Sequence, residues 1–149
     1  MKIEGLPSGR EQIIRCGEAT LLLNCGDGLS ARWLAAGLPA TGPLAVLFTD
    51  GGADCIGGLY SFLAAMREGR RHEPLTLLHN LTDERVGYLV GAFLQGEGAD
   101  YDISLDADLP GRSNRIGPFL VEMRTAPMGV GFRVKAGGET IELRSGYDA

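Results

Sequence analysis

Apolar residues recur along this chain in two rhythms, and the change from one to the other divides it. Runs at 12–16 and 20–23 are short and apolar, with Gly17-Glu18 between them, and predict an antiparallel hairpin. Cys25-Gly26-Asp27-Gly28 breaks the pattern with glycines that permit tight turns. Ser30 is placed to cap a short helix over 30–36, ended by Gly37 and Pro39. The continuous run 44–48 suits a buried strand. Ile56, Leu59, Phe62, Leu63 and Met66 then recur at helical spacing until Gly69. A second buried strand is predicted at 75–78. Thr82 is placed to cap a helix over 83–95, with Val86, Leu89, Val90 and Phe93 on one face.

After Gly96 the helical period stops. Strand candidates follow at 102–105, 119–125, 131–134 and 140–143, and Gly137-Gly138 marks a hairpin between the last two. Strands alternating with helices, then strands alone, predict one domain over residues 1–149. Its class is α/β (α+β): a mixed sheet with flanking helices, extended by antiparallel strands.

Composition narrows the function classes. The chain has 149 residues, 44% of them hydrophobic and 22% charged, as a globular protein does. A net charge of −5 argues against a nucleic-acid surface spread over the whole molecule. The basic cluster Arg67, Arg70, Arg71 and His72 reads as cations offsetting the negative end of a helix dipole. No segment reaches the roughly 18 apolar residues of a membrane span, and the first residues lack the apolar centre of a secretory signal. Cys16, Cys25 and Cys55 are odd in number and show no close pairing, so free thiols and a cytoplasmic location are expected.

The segment with the most chemistry is Thr49-Asp-Gly-Gly-Ala-Asp-Cys-Ile-Gly-Gly58, between an apolar strand and an amphipathic helix. Asp50, Asp54 and Cys55 are donor-bearing, and His79 ends the next strand on the same expected rim. Together they form one candidate metal set, although Asp50 suits a hard cation and Cys55 a soft one. Neither His72 nor His79 is paired by the sequence with Cys55, so a buried, inert thiol is expected there. Asp100, Asp102, Asp106 and Asp108 lack the central glycine and closing glutamate of a calcium loop and read as a solvated strand edge.

That segment resembles the metal-binding corner of the metallo-β-lactamase superfamily, above all its ribonuclease Z-like branch, which reads Thr-His-x-His-x-Asp-His-x-x-Gly. Thr49, Asp54, Ile56 and Gly58 fit the pattern, whereas Asp50, Gly52 and Cys55 stand at the histidine positions. Three further blocks resemble the same family in the right order. Thr20-Leu-Leu-Leu-Asn-Cys-Gly-Asp-Gly28 resembles a strand ending in Asp-Cys-Gly-Glu-Gly, with Asn24 for the aspartate and Asp27 for the glutamate. Pro74-Leu-Thr-Leu-Leu-His79 resembles the strand after the first long helix. Gly131-Phe-Arg-Val and Thr140-Ile-Glu-Leu-Arg-Ser-Gly-Tyr147 resemble the hairpin that ends in a Ser-Gly-Asp metal ligand, with Tyr147 at the aspartate.

The resemblance implies a metallo-β-lactamase-like fold, approximately its N-terminal half, whose active members use bound metal to make a nucleophile from water. Here Asp50, Gly52, Asp54, Cys55 and Tyr147 stand as vestigial metal-loop positions, of which only Asp54 keeps a family-type ligand. The expected function is therefore a non-catalytic interaction or structural module without a cofactor. The alternative is a hydrolase of phosphodiesterase or ribonuclease Z type, with zinc or another divalent metal on Asp50, Asp54, Cys55 and His79. A third reading is a small-ligand module with Asp50, Asp54 and Arg124 lining the old cleft. A lone half is expected to expose an apolar sheet face, covered in a homodimer or by another protein completing the fold.

Overall fold

The computed structural model describes residues 1–6 and 11–144. Ten strands and four helices are found there: β1 (Lys2–Gly5), β2 (Gln12–Cys16), β3 (Ala19–Leu23), α1 (Leu29–Ala35), β4 (Ala45–Leu47), α2 (Ala53–Ile56), α3 (Leu59–Glu68), β5 (Leu75–Asn80), α4 (Arg85–Gly96), β6 (Ile103–Asp108), β7 (Ser113–Ile116), β8 (Phe119–Thr125), β9 (Val130–Ala136) and β10 (Glu139–Leu143). None of these helices is long and apolar enough to cross a membrane.

The first sheet runs β1-β2-β3-β4-β5-β6. β1, β2 and β3 are antiparallel neighbours, and β3 to β6 are parallel, so the sheet is mixed. Its strands are apolar on both faces because both faces are covered. Leu22, Val46, Phe48, Leu75 and Leu77 face α1, α3 and α4 in one core, with Trp33, Phe62 and Phe93. Leu21, Leu23, Ala45, Leu47 and Leu78, one residue out of step, face the other way into a second core.

That second core shows where the late strands go. Only β6, the 102–105 candidate, extends the first sheet, and it does so in parallel; the strands after it do not. Instead β10-β9-β8-β7 form a separate antiparallel sheet packed face to face on the first. Phe119, Val121 and Met123 of β8 and Phe132 and Val134 of β9 fill the space between. Fully burying a side chain of this size contributes about 1.5–3 kcal/mol relative to leaving it in water, so the pairing of the two sheets is strongly favoured.

The apolar sheet face expected of a lone half is thus covered by the chain's own strands. The outer face of the second sheet is ionic instead. Arg133 Nε donates to Glu142 Oε1 at 2.6 Å, and Glu122 Oε1 lies 3.2 Å from Arg124 Nη1 and 3.8 Å from Arg133 Nη1.

Three local expectations also shift. The single helix read from Ile56 onward is two, because Gly57 and Gly58 interrupt it and Gly58 N–H donates out to Cys25 O at 2.9 Å. Ser30 lies inside α1, whose N-cap is Gly28 in the left-handed conformation. Thr82 does not cap α4. Asp83 serves the start of that helix instead, its Oδ1 accepting Arg85 N–H at 3.1 Å.

Candidate functional site: the corner at the carboxyl ends of the parallel strands

β3, β4 and β5 run parallel and end at one rim, the usual place for a site in such sheets. The loops leaving β4 and β5, with the start of α4 and the turn before β9, surround an open cleft of about 730 Å³. Thr49, Asp50, Gly52, Asn80, Asp83 and Arg85 are among its walls.

Behind this rim, two glycine-bearing loops are held in backbone contact. Cys25 N–H donates to Cys55 O at 2.7 Å, and Gly58 N–H returns to Cys25 O. A Cβ on Gly58 would lie 2.0 Å from Gly26 O, and one on Gly26 would lie 2.6 Å from Asp54 O. Only glycine permits this approach.

Glu11 locks the same loop from below. Only 2% exposed, its carboxylate accepts Gly26 N–H at 2.8 Å and the Arg32 fork at 2.6 and 2.9 Å. Burial pushes the Glu11 carboxyl up, but the Arg32 hydrogen bonds and the Gly26 N–H outweigh it and hold the group below the ordinary glutamate value.

In the loop after β4, donor atoms are turned on the protein itself. Asn24 sits at φ 66° and reaches across to the end of β4. Its Oδ1 accepts Thr49 N–H at 2.9 Å and its Nδ2 donates to Thr49 Oγ1 at 3.0 Å. Thr49 Oγ1 in turn lies 3.6 Å from Cys55 Sγ. Burial pushes the Cys55 thiol up, with Asp50 adding to the rise and Thr49 opposing it.

Asp50 Oδ1 accepts Gly52 N–H at 2.5 Å. Over the same loop lies an acid–guanidinium fork: Arg85 Nε to Asp83 Oδ1 at 3.0 Å and Arg85 Nη2 to Asp83 Oδ2 at 2.8 Å. A Cβ on Gly51 would fall 2.2 Å from Asp83 Oδ2 and 2.5 Å from Arg85 Nε, so the fork rests directly on the loop backbone. Arg85 also feels Asp50 and Cys55 electrostatically, which places a protein cation beside the loop.

The structure distributes the sequence candidates unevenly. Asp50 and Cys55 share the corner. Asp54 is exposed in the first turn of α2, where a negative charge suits the helix dipole. Adjacent helix residues point about 100° apart, so Asp54 and Cys55 do not face one point. His79 is buried on the helix side of the first sheet, its Nδ1 3.0 Å from Asn80 O. Among the described residues, no group of three or more His, Cys, Asp or Glu is placed to hold a metal ion. Gly52 offers no donor atom. The described residues therefore do not fit a zinc or other divalent centre of the family type. Tyr147 lies outside the described residues.

Arg124 does not line the old cleft. It sits on β8, on the outer face of the second sheet, beside a different hollow with Arg133 and Arg144. Of the three residues expected to line the cleft, Asp50 does and Asp54 and Arg124 do not. Two features escaped sequence reasoning, the Glu11–Arg32 clamp and the Asp83–Arg85 fork. Each pairs residues with no local signature beyond opposite charge.

Two facing sheets, helices packed on the outside of the first, and a cleft at the strand ends define the metallo-β-lactamase fold. Solved structures agree. Human tRNase Z, short form, superposes with a TM-score of 0.77 at 15% identity over 95% of this chain and 64% of its own. The metallo-β-lactamase fold protein YhfI of Bacillus subtilis gives 0.69 at 19% identity, over 93% of this chain and 56% of its own. Zinc-bound PqqB of Methylobacterium extorquens gives 0.67 at 22% identity, over 89% and 47%. The chain thus spans 64% or less of the length of each of these proteins. In sequence, no family model and no curated protein matches it.

Proposed function

We propose that this chain is a non-catalytic use of the metallo-β-lactamase fold, serving as an interaction or structural module. One observation carries the reading: at the corner where the fold's hydrolases hold metal, the remaining donors are engaged by the protein. Asp50 caps Gly52, Thr49 joins Asn24 to Cys55, and the Asp83–Arg85 fork covers Gly51. A metal ion would have to displace these contacts and would find no donor at Gly52.

The competing reading is a metal-dependent hydrolase on Asp50, Asp54, Cys55 and His79. Its main support is the company the fold keeps, since human tRNase Z and zinc-bound PqqB are among the structural neighbours. Melting with and without EDTA, together with turnover of an activated phosphodiester in added zinc or manganese, separates the two. Unchanged melting and no turnover support the module. A melting temperature lowered by EDTA, with turnover abolished by Asp50→Ala, supports the hydrolase.

As a module the protein acts through its surface, toward a second copy or another protein. Light scattering at micromolar concentration reads which masses form. The three free thiols suit a reducing compartment, and a cytoplasmic location is part of this proposal.

A further inference from the structure

The opposite end of the first sheet, where α3 hands over to β5, holds a second cluster. α3 closes with Arg70 N–H donating to Arg67 O at 2.9 Å and Arg71 N–H to Met66 O at 3.0 Å, the paired bonds of a Schellman ending. Arg70 takes the left-handed position of that ending at φ 60°, where glycine carries the lower strain. Its side chain is exposed.

The next residue is the reverse case, a charge inside the protein. Arg71 is 2% exposed and donates to the carbonyls of Thr41, Glu73 and Pro74. The Tyr101 ring centroid lies 5.9 Å from its guanidinium carbon. Among the described residues, no carboxylate forms an ion pair with Arg71. Neutral oxygens bond its N–H groups, and no carboxylate touches it directly, whereas a buried charge is stabilised chiefly by pairing. Burial accordingly lowers its affinity for the proton, against smaller effects of Tyr101 and Glu73.

Arg70, Arg71 and His72 line both of two hollows, of about 420 and 430 Å³. Glu18 and Glu73 stand in the first, and Arg67, Glu68 and Asp100 in the second. Glu68 is already taken by Arg67 Nη2 at 3.0 Å. The carboxyl end of α3 adds a partial negative charge of about half an electron. A monovalent anion gains little against that background, whereas a multivalent one engages several cations together.

We infer that this corner binds a multivalent oxyanion, the phosphate group of a small molecule, with Arg70 and His72 as exposed arms and Arg71 behind them. A purely structural staple accounts for the carbonyl bonds of Arg71. Arg70, exposed in the left-handed position beside it, adds a second cation at the same corner. The inference is independent of the proposed function, because the two sites lie at opposite ends of the strands.

The test is a titration of the whole chain with inorganic pyrophosphate at fixed ionic strength, followed by amide chemical shifts, with acetate as the monovalent comparison. Saturable shifts confined to residues 67–73 and their neighbours are expected, with acetate giving none. Arg70→Gly should weaken binding about tenfold while leaving the unliganded melting temperature unchanged or higher. Arg70→Gly with His72→Ala should abolish it. No saturation through the millimolar range, shifts scattered over the surface, or equal affinity in the double variant overturns the inference. Arg71 is left intact throughout, since its loss would disturb the fold.

Discussion

Two glycine positions at one corner are held by different things. Gly58 is fixed by backbone: its Cα faces Gly26 O so closely that a Cβ would stand 2.0 Å away. Gly52 is not. At φ −71° and ψ 164° it has an extended backbone open to any residue, and the nearest obstacle to a Cβ there is the Asp50 carboxylate at 3.0 Å. The first glycine holds the loops together; the second stands where the family pattern has a histidine. A scaffold and its chemistry answer to separate constraints, one on backbone approach and one on side-chain donors. One can therefore persist while the other changes.

The sharpest way to break this contrast is to place the same methyl group at both positions. Gly58→Ala should destabilise by about 3 kcal/mol or more, because backbone rather than a flexible side chain must move. Gly52→Ala should stay within about 0.5 kcal/mol of the parent protein. Urea unfolding of the two variants reads the difference, and equal losses would erase the distinction.

Next in size is the clamp beneath the frame. Glu11→Gln leaves Arg32 and Gly26 N–H with a neutral partner in a buried place, and a loss of about 2–4 kcal/mol is expected in the same measurement. The clamp also sets a pH dependence. Glu11 has its folded value below the ordinary 4.5, so its contribution is fully present above that value. It is lost as pH falls through the lowered folded value. Melting temperature should therefore drop more steeply below about pH 4.5 in the parent than in Glu11→Gln. Parallel curves would rule out this role for Glu11.

Arg85→Ala should have the smallest effect on stability, about 0.5 kcal/mol or less, because the Arg85 side chain is 60% exposed. A loss of several kcal/mol would instead make the fork part of the frame.

How much of this was legible in the sequence follows the same division. The apolar runs 44–48 and 75–78 fall on the buried strands β4 and β5, and the order of the glycine-bearing blocks points to the fold. The edge strands Lys2–Gly5 and Ser113–Ile116 are largely exposed and carry too little apolar pattern to be read as strands. Helical spacing from Ile56 to Leu59 and Phe62 runs straight through Gly57 and Gly58, which hides the break between α2 and α3. Sheet membership is illegible for a different reason. Whether β8 and β9 extend the first sheet or face it depends on which apolar faces meet, and Phe119 and Phe132 find theirs only across the sandwich. At the site, Asp50, Gly52 and Cys55 could be placed by their position in the loop. Glu11 with Arg32, and the fork over Gly51, depend on contacts that only the folded chain creates.

Metal content is the most direct test of the central claim that the corner's donors serve the protein. The protein should be purified without chelator, loaded with zinc, manganese or iron, and passed through a desalting column before elemental analysis. Well under one equivalent of any of these metals per chain is expected, unchanged by Asp50→Ala. A full equivalent that Asp50→Ala or Cys55→Ala removes would contradict the claim.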